Sequence, residues 1–495
     1  MKLGKNGRIH GTSIERTAYN DNGSGKRHRY LLLSTSLLVD RVYLHTGFLS
    51  GLAGSGDVEI WASSFSDTDG RQSWAGANAK VSSFPVVRAF REIPHNYLRR
   101  LNEFVWDYRY LPASRLSMME HVRNKNYRYS IRALKAPAKL LAMLRSERAL
   151  EHNLEKLQLA YPRSIETEER FLSNRPTALL LTGPFQFEQP AVYAAARKFG
   201  IPTLAYIPSW DNVTTKHRMV FSYDAYIVWN EKVKQELLDF YPDSRQKPIY
   251  VIGPPQFDVF YQDRFFENRE EFCRKQGLDP TLPIIAYAVG SPNFLKEHYG
   301  AVYLAKKVSE GRLGDVQLLI RPHPIHDNAE MRELFDPFGP RVRLQKSTNA
   351  GKQLTRRTQD VEQITEWVNT FRHAAVVVNL SSTVTVDASI FDRPVVNLDF
   401  DPQPGQFDQQ LIREVNHSWP HFKPIAESGG VWLVNDFDQM EQAIRKYLDE
   451  PQLHREGRRW VVEHVCGFTD GRCGERMAEA VRNFADTVTS RRSEV

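Results

Sequence analysis

Short, nearly unbroken apolar runs alternate along the chain with helix-length amphipathic stretches. The runs are 30–38, 57–62 (DVEIWA), 177–182 (TALLLT), 203–207 (TLAYI), 225–229 (AYIVW) and 248–252 (PIYVI). A second series follows at 284–289 (IIAYAV), 316–321 (VQLLIR), 374–380 (AAVVVNL), 394–399 (PVVNLD) and 431–434 (VWLV). Their β-branched, continuous character is that of parallel strands buried on both faces. Helical stretches fall between them, such as 187–199, which opens after Gly183-Pro184 and closes at Gly200. Strands alternating with helices in this way predict an α/β chain with parallel sheets.

The two series divide at the Gly253-Pro254-Pro255 break and restart after Pro280 and Pro283. They predict a first α/β domain over 28–262 and a second over 263–440. A polar stretch, 1–27, reads as a flexible N-terminal arm. The last helical patterns, 437–450, 451–465 and 471–488, are expected to pack back across both domains, with 441–488 as the closing segment. Residues 97–172 break the alternation. They read as helix and loop throughout, a helical insertion in the first domain.

Composition changes the picture at three points. Apolar residues are 41% and aromatic residues 11% of the 495 residues, enough for two packed cores and unlike a disordered chain. The longest apolar runs fall far short of the roughly 18–20 residues that cross a bilayer, and the N-terminal stretch lacks the apolar centre of a signal peptide. Cys273, Cys466 and Cys473 make neither a disulfide framework nor a zinc site, so reduced thiols in a cytoplasmic protein are expected. The net charge of +7 is concentrated. Between Tyr97 and Arg148, twelve Lys/Arg face four acids, and the rest of the chain is close to neutral. This basic excess sits among Tyr, Met and Leu residues, which suits an anionic membrane face or a lipid-linked acceptor around 97–148. Nucleic acid competes for the same charge but is not the expected partner. A solvated helical face whose Arg and Lys stems cover the core is the plainer reading.

Candidate chemistry gathers where strands end. At 374–396 (AAVVVNLSSTVTVDASIFDRPVV) a buried strand runs into Ser381, Ser382 and Thr383, which open a helix. Hydroxyls there can cap the helix or bind phosphate. Asp387 lies one turn on, within reach of a ribose hydroxyl. In 318–327 (LLIRPHPIHD), Arg321 and His323 leave a strand end between prolines, where a cation could pair with a diphosphate and an imidazole could donate to it. Gly290 and Ser291 follow a third strand as a second phosphate cradle. In the first domain, Gly183 leads to Glu188 at a helix start. The next strand ends in 204–216 (LAYIPSWDNVTTK), where Trp210, Asp211, Asn212, Thr214 and Lys216 crowd together. Asp211 and Glu188 then share one sheet edge, where paired carboxylates could act as base and orienting partner for a hydroxyl. Capping and core packing explain each of these groups as well.

The serine turn with its acid and Pro-Val return strand resembles the donor-binding element of GT-B glycosyltransferases. That class usually has Glu-Ala where this chain has Asp387-Ala388, and Gly-x-Pro where it has Asp392-Arg393-Pro394. RPHP resembles the histidine loop of CDP-glycerol-type polyol-phosphate transferases and of capsule glycosyltransferases. SWDNVTTK, with VWNEKVKQEL and VIGPPQFD, resembles proteins encoded with bacterial surface-polysaccharide genes. The resemblance implies two facing Rossmann-like domains with a nucleotide-sugar between them as a substrate, and neither a cofactor nor a bound metal. Ser381, Ser382, Thr383, Asp387, Gly290, Ser291 and Arg321 would hold the donor. Arg321 and His323 would neutralise the leaving group, and Asp211 or Glu188 would serve as base. Trp210, Asn212, Thr214, Lys216 and Gly183 would line the acceptor side. The implied enzyme is a glycosyltransferase of the cytoplasm or inner membrane face, acting on a glycan or lipid-linked acceptor. A CDP-polyol phosphotransferase, a sugar-nucleotide 2-epimerase and a non-catalytic assembly factor share the architecture. The strand end SWDNVTTK has no His where the polyol-phosphate group has its first-domain His-Gly-Thr, and the serine turn reads Ser-Ser-Thr where the epimerases have Gly-Gly-acid.

Overall fold

The computed structural model describes residues 27–88, 94–143, 164–219, 221–295 and 297–493, with a few positions between 152 and 159. Two separate parallel sheets organise it. The first contains β1 (His28–Ser34), β2 (Gly56–Ala62), β3 (Lys80–Ser83), β4 (Ala178–Leu181), β5 (Thr203–Tyr206), β6 (Ala225–Val228) and β7 (Ile249–Val251), in the order β3-β2-β1-β4-β5-β6-β7. The second contains β8 (Ile284–Ala288), β9 (Gln317–Arg321), β10 (Val342–Leu344), β11 (Val376–Asn379), β12 (Val395–Leu398) and β13 (Trp432–Val434), in the order β10-β9-β8-β11-β12-β13. Every pairing is parallel. Both orders reverse direction at one point, between β1 and β4 and between β8 and β11, which is the Rossmann arrangement. The α/β reading with two Rossmann-like sheets and a helical insertion therefore stands.

Three local readings need correction. The apolar run 30–38 is a strand only to Ser34. Leu37 and Leu38 begin a helix, Leu37–His45, behind Ser36 in the extended N-cap conformation. β3 (KVSS) and β10 (VRL) carry no continuous apolar run. Both are edge strands, so their side chains need not be buried on two faces. The N-terminal arm before Arg27 lies outside the described residues, as do Arg145 and Arg148 of the basic segment.

The described part of the insertion between β3 and β4 is a set of helices joined by short turns and loops. Its main members are His95–Tyr110, Ala113–Ser117, a π-helical turn at Met118–Arg123, Tyr129–Ala133, Lys135–Ala142 and Ile165–Ser173. It has a small core of its own, made by Phe104, Val105, Met119, Ile131 and Ala138. Much of its positive charge points inward. Arg99 is fully buried and donates to Glu103 (3.0 Å) and to the carbonyls of Gln186 (2.7 Å) and Phe185 (2.8 Å). Arg100 reaches the other oxygen of Glu103 at 2.6 Å. Burial opposes ionisation of Glu103, but Arg100 and Arg99 hold its carboxyl well below the usual range.

Arg115 is equally buried. It pairs with Asp107 at 2.5 Å and donates to the carbonyl of Lys216. Ser114 donates to the carbonyl of Thr214, and Arg123 to that of Thr215, each at 2.6 Å. The short helix Asn212–Thr215 leaves its last carbonyls without partners of its own. The insertion supplies them, two by cations that also suit the negative end of the helix.

The chain crosses to the second domain through the 3-10 stretch Pro255–Tyr261 and returns at its end in the helix Cys473–Ser493. The two crossings are bonded together: buried Asp258 accepts from the backbone N–H groups of Cys473 (3.0 Å) and Gly474 (2.7 Å). Farther along, the returning helix docks on the first domain. Asp486 pairs with His28 at 2.7 Å, and Arg482 donates to the carbonyl of Gly51 at 2.6 Å. A β-carbon at Gly51 would lie 2.7 Å from that of Ala478, so this contact needs glycine. Among the described residues no helix is long and apolar enough to cross a membrane.

Arg115→Met tests the insertion as a clamp. It leaves Asp107 buried without its partner, an uncompensated charge that costs about 3–5 kcal/mol. Thermal or urea denaturation should show the loss. An unchanged midpoint would mean that the insertion does not hold the first domain in place.

Candidate functional site

The carboxyl-terminal edges of the two sheets enclose a cavity of about 230 Å³. Leu37, Leu38 and Arg41 line it from the helix after β1, and Ser209 from the loop after β5. The second domain contributes Arg321, Pro322 and Pro324 after β9, and Lys346 and Asn349 after β10. Glu366 and Trp367 add a wall from the helix Val361–His373, and Thr383 and Asp387 one from the turn and helix after β11. Ligands of open parallel sheets bind beyond the strand ends at the reversal of strand order, and both reversals flank this cavity.

A buried carboxyl and two guanidiniums share its wall. Asp387 is buried, and its Oδ2 accepts from the Trp367 indole N–H at 3.1 Å. Its Oδ1 is buried without a hydrogen-bond partner among the described residues. Burial raises its pKa to about 7, against the opposing bond from Trp367 and the attraction of Arg41 and Arg321. Arg321 donates to Gln345 at 2.9 Å. Arg41 arrives from the opposite domain. It donates to Gln359 at 2.7 Å, and its guanidinium carbon lies 3.9 Å from the centre of the Trp367 ring. Burial pushes Arg41 down to about 9 and lowers Arg321 as well. Two cations and a carboxyl are thus held in a poorly solvated space with much of their hydrogen-bonding capacity unspent.

The expected donor residues divide. Arg321, Thr383 and Asp387 face the cavity. Thr383 occupies the N-cap position but makes no side-chain cap bond. Ser381 and Ser382 are not on the cavity wall, and both hydroxyls are engaged within the second domain. Ser381, in the left-handed region at φ 37°, donates to Asn416 at 2.6 Å, and Ser382 donates to Asn379 at 3.1 Å. Gly290 and Ser291 lie outside the cavity wall. Ser291 accepts from the N–H groups of Phe294 and Leu295, so it organises a local turn. His323 neighbours the wall, with Nδ1 buried and without a hydrogen-bond partner among the described residues, and burial lowers its pKa to about 4. It is therefore a neutral imidazole near pH 7, and the cationic residues that line the cavity are Arg321, Arg41 and Lys346.

The first-domain expectations fare differently. Asp211 and Glu188 are not among the cavity-lining residues. The carboxylate of Asp211 accepts from Ser209 (2.5 Å), Asn212 (3.1 Å) and Thr215 (2.7 Å). Burial opposes its ionisation, but His421 and Lys216, helped by those hydroxyls, hold it below the usual carboxylate range. The carboxylate makes no cap bond to the helix backbone; its oxygens are occupied by these neighbouring side chains, and it does not line the cavity. Glu188 accepts from the Phe187 N–H at 3.2 Å and lies in the field of Arg99.

The rest of the stretch is likewise structural. Trp210 is buried at the domain interface, its ring edge-on to His421 with centroids 5.1 Å apart. Asn212 is tied to Asp211. Thr214 donates to the backbone carbonyl of Asp211 at 3.3 Å. Lys216 is exposed, and its carbonyl is the one held by Arg115. Gly183 donates through its N–H to Gln189 at 2.7 Å and is pressed by Gln186, so it shapes a turn. Arg41 and Trp367 were not anticipated. Their trace in the sequence is a charged pair, Asp40-Arg41, inside the apolar run 37–44 (LLVDRVYL), and buried charges seldom occur without a partner.

No model of a known protein family matches the chain, and no curated protein sequence matches it. Solved structures do resemble it. The S. aureus MnaA–UDP co-structure superposes with a TM-score of 0.51 at 11% identity, covering 93% of this chain and 98% of that one. A Listeria monocytogenes protein described as a UDP-N-acetylglucosamine 2-epimerase gives 0.53 at 13% identity, covering 93% and 98%. Another UDP-N-acetylglucosamine 2-epimerase gives 0.50 at 13% identity, covering 92% and 95%. At such identities the likeness shows the fold, which is the GT-B arrangement of two Rossmann-like domains over almost the whole chain.

The desolvation of Asp387 has a measurable sign. Its pKa is higher in the folded protein, about 7, than the ordinary 3.8, so the native state holds the proton more tightly than the unfolded chain. Native stability falls as pH rises through that window. Relative to Asp387→Asn, the wild-type thermal midpoint should fall between about pH 4 and about pH 7 and then level off. A difference that does not vary with pH would show that the carboxyl is well solvated.

Proposed function

We propose that the chain is a glycosyltransferase that moves a sugar from a nucleotide-sugar to a hydroxyl of a glycan or lipid-linked acceptor. One observation carries this reading. Guanidiniums from opposite domains, Arg41 and Arg321, flank a buried carboxyl with a free oxygen in a single cleft at the strand ends of both sheets. Arginine favours phosphate because its planar donors can meet two oxygens at once. Arg321 and Arg41 would hold the diphosphate and stabilise the charge that grows on it as the bond to the sugar breaks. Asp387, through Oδ1, would accept from a ribose hydroxyl, and Thr383 would donate to phosphate.

The enclosed volume is below the roughly 300–1,000 Å³ of ordinary ligand pockets. A donor larger than this volume would be admitted in this reading by a parting of the domains, with Arg41 returning over the bound diphosphate. The glycan or lipid-linked acceptor rests on the resemblance of SWDNVTTK, VWNEKVKQEL and VIGPPQFD to proteins encoded with bacterial surface-polysaccharide genes.

Thermal shift with UDP, GDP and CDP tests the donor side. A ligand at a hundred times its Kd stabilises by about 2.7 kcal/mol. One nucleoside diphosphate should shift the midpoint, and Arg321→Ala and Arg41→Ala should each weaken it roughly tenfold to a hundredfold, the loss of one charged hydrogen bond. No shift with any nucleotide would remove the transferase reading in favour of a non-catalytic role. A shift confined to CDP would favour a CDP-polyol phosphotransferase. Conversion of a UDP-sugar to its 2-epimer, without transfer to an acceptor, would replace the proposed reaction.

A further inference from the structure

The helical insertion has a face that neither the cleft nor the core uses. Between His121 and Met143 the sequence carries six Lys/Arg and no Asp or Glu. Tyr129–Ala133 and Lys135–Ala142 follow each other with only Leu134 between them, and that residue is also in the right-handed helical region. Ile131, Leu134, Ala138 and Leu141 turn towards the small core of the insertion. The opposite stripe runs through Tyr129, Arg132, Ala136, Leu140 and Met143 at spacings of three and four, one side of a helix.

This outer stripe is both apolar and cationic. Tyr129 is 87% exposed, Leu140 67% and Met143 81%. Arg132 and Lys139 are exposed beside them, and Lys125 and Arg128 are exposed just before. Three large apolar side chains lie in water on one short helical stretch, with cations around them and no acid in the segment. Such a face matches an anionic lipid surface. Its cations meet the headgroups while its apolar side chains enter the boundary with the acyl chains. A nucleic-acid surface would draw on the cations but gives no account of Leu140 and Met143.

We infer that the Tyr129–Met143 face of the insertion docks the protein on anionic membrane surfaces. This holds whether or not the cleft transfers sugars, and its test reads binding alone. The full-length protein is sedimented with vesicles of phosphatidylcholine, alone or mixed with phosphatidylglycerol. It should partition onto the mixed vesicles only and be released by salt. Reversing Arg132 and Lys139 to glutamate should weaken partitioning by more than about twentyfold, since each cation near an anionic leaflet contributes about fivefold. Leu140→Gln with Met143→Gln should weaken it severalfold, and thermal midpoints of both variants should match wild type because the replaced residues are exposed. Equal binding to neutral vesicles, no binding, or binding indifferent to the charge reversals would overturn the inference. So would retention on single-stranded RNA that matches the vesicle affinity and is unchanged by the Leu140 and Met143 replacements.

Discussion

A guanidinium resting on an indole joins the two halves of this molecule at the point where its chemistry is concentrated. Arg41 belongs to the first helix of the first domain, and Trp367 to a helix of the second. Trp367 in turn donates to Asp387, so one aromatic ring touches both the cation from across the cleft and the carboxyl of its own domain. The arrangement depends on dryness. In water a cation gains little from an aromatic face, but it gains more once desolvated. Desolvation also keeps Asp387 close to half-protonated near neutral pH. Placement of the first helix, closure of the cleft and the protonation of Asp387 are therefore linked.

The sequence revealed most where burial leaves a continuous imprint. β4, β5, β6, β8, β11 and β12 are buried along their whole length, and each appears as an apolar run. The edge strands β3 and β10 leave no such imprint, because an edge tolerates Lys80, Ser82 and Arg343. The candidate site was legible at the level of strand ends but not of side-chain direction. Ser381, Ser382 and Thr383 are consecutive hydroxyls in the sequence. Backbone geometry sends the first two to Asn416 and Asn379 and leaves the third to the cavity. Arg41 could not be placed by periodicity. Its significance comes from a ring more than three hundred residues away.

The crowded stretch SWDNVTTK shows the same limit from the other side. Its carboxylate, amide and hydroxyls have partners that are local or belong to the insertion, while the Trp210 indole N–H is buried without one among the described residues. A carboxylate, an amide and two hydroxyls fold a four-residue helix, and two arginines and a serine close its far end. Formal charge counts misled for a related reason. Arg99, Arg100, Arg115 and Arg123 are counted as positive residues in the sequence, but they face carboxylates and carbonyls in the interior. Among the described residues, the cationic surface of the insertion is therefore smaller than the sequence suggests.

Asp258 gives the two domains a particular mechanical freedom. The chain crosses between them twice, and this carboxylate ties the second crossing to the first through two backbone N–H groups. Two plates connected by a single strand can slide, twist and swing. Pinned by two strands at a shared point, they keep the swing and lose most of the slide. Opening should thus resemble a book turning on its spine, with the largest excursion at the rim of the pages and little displacement beside Asp258.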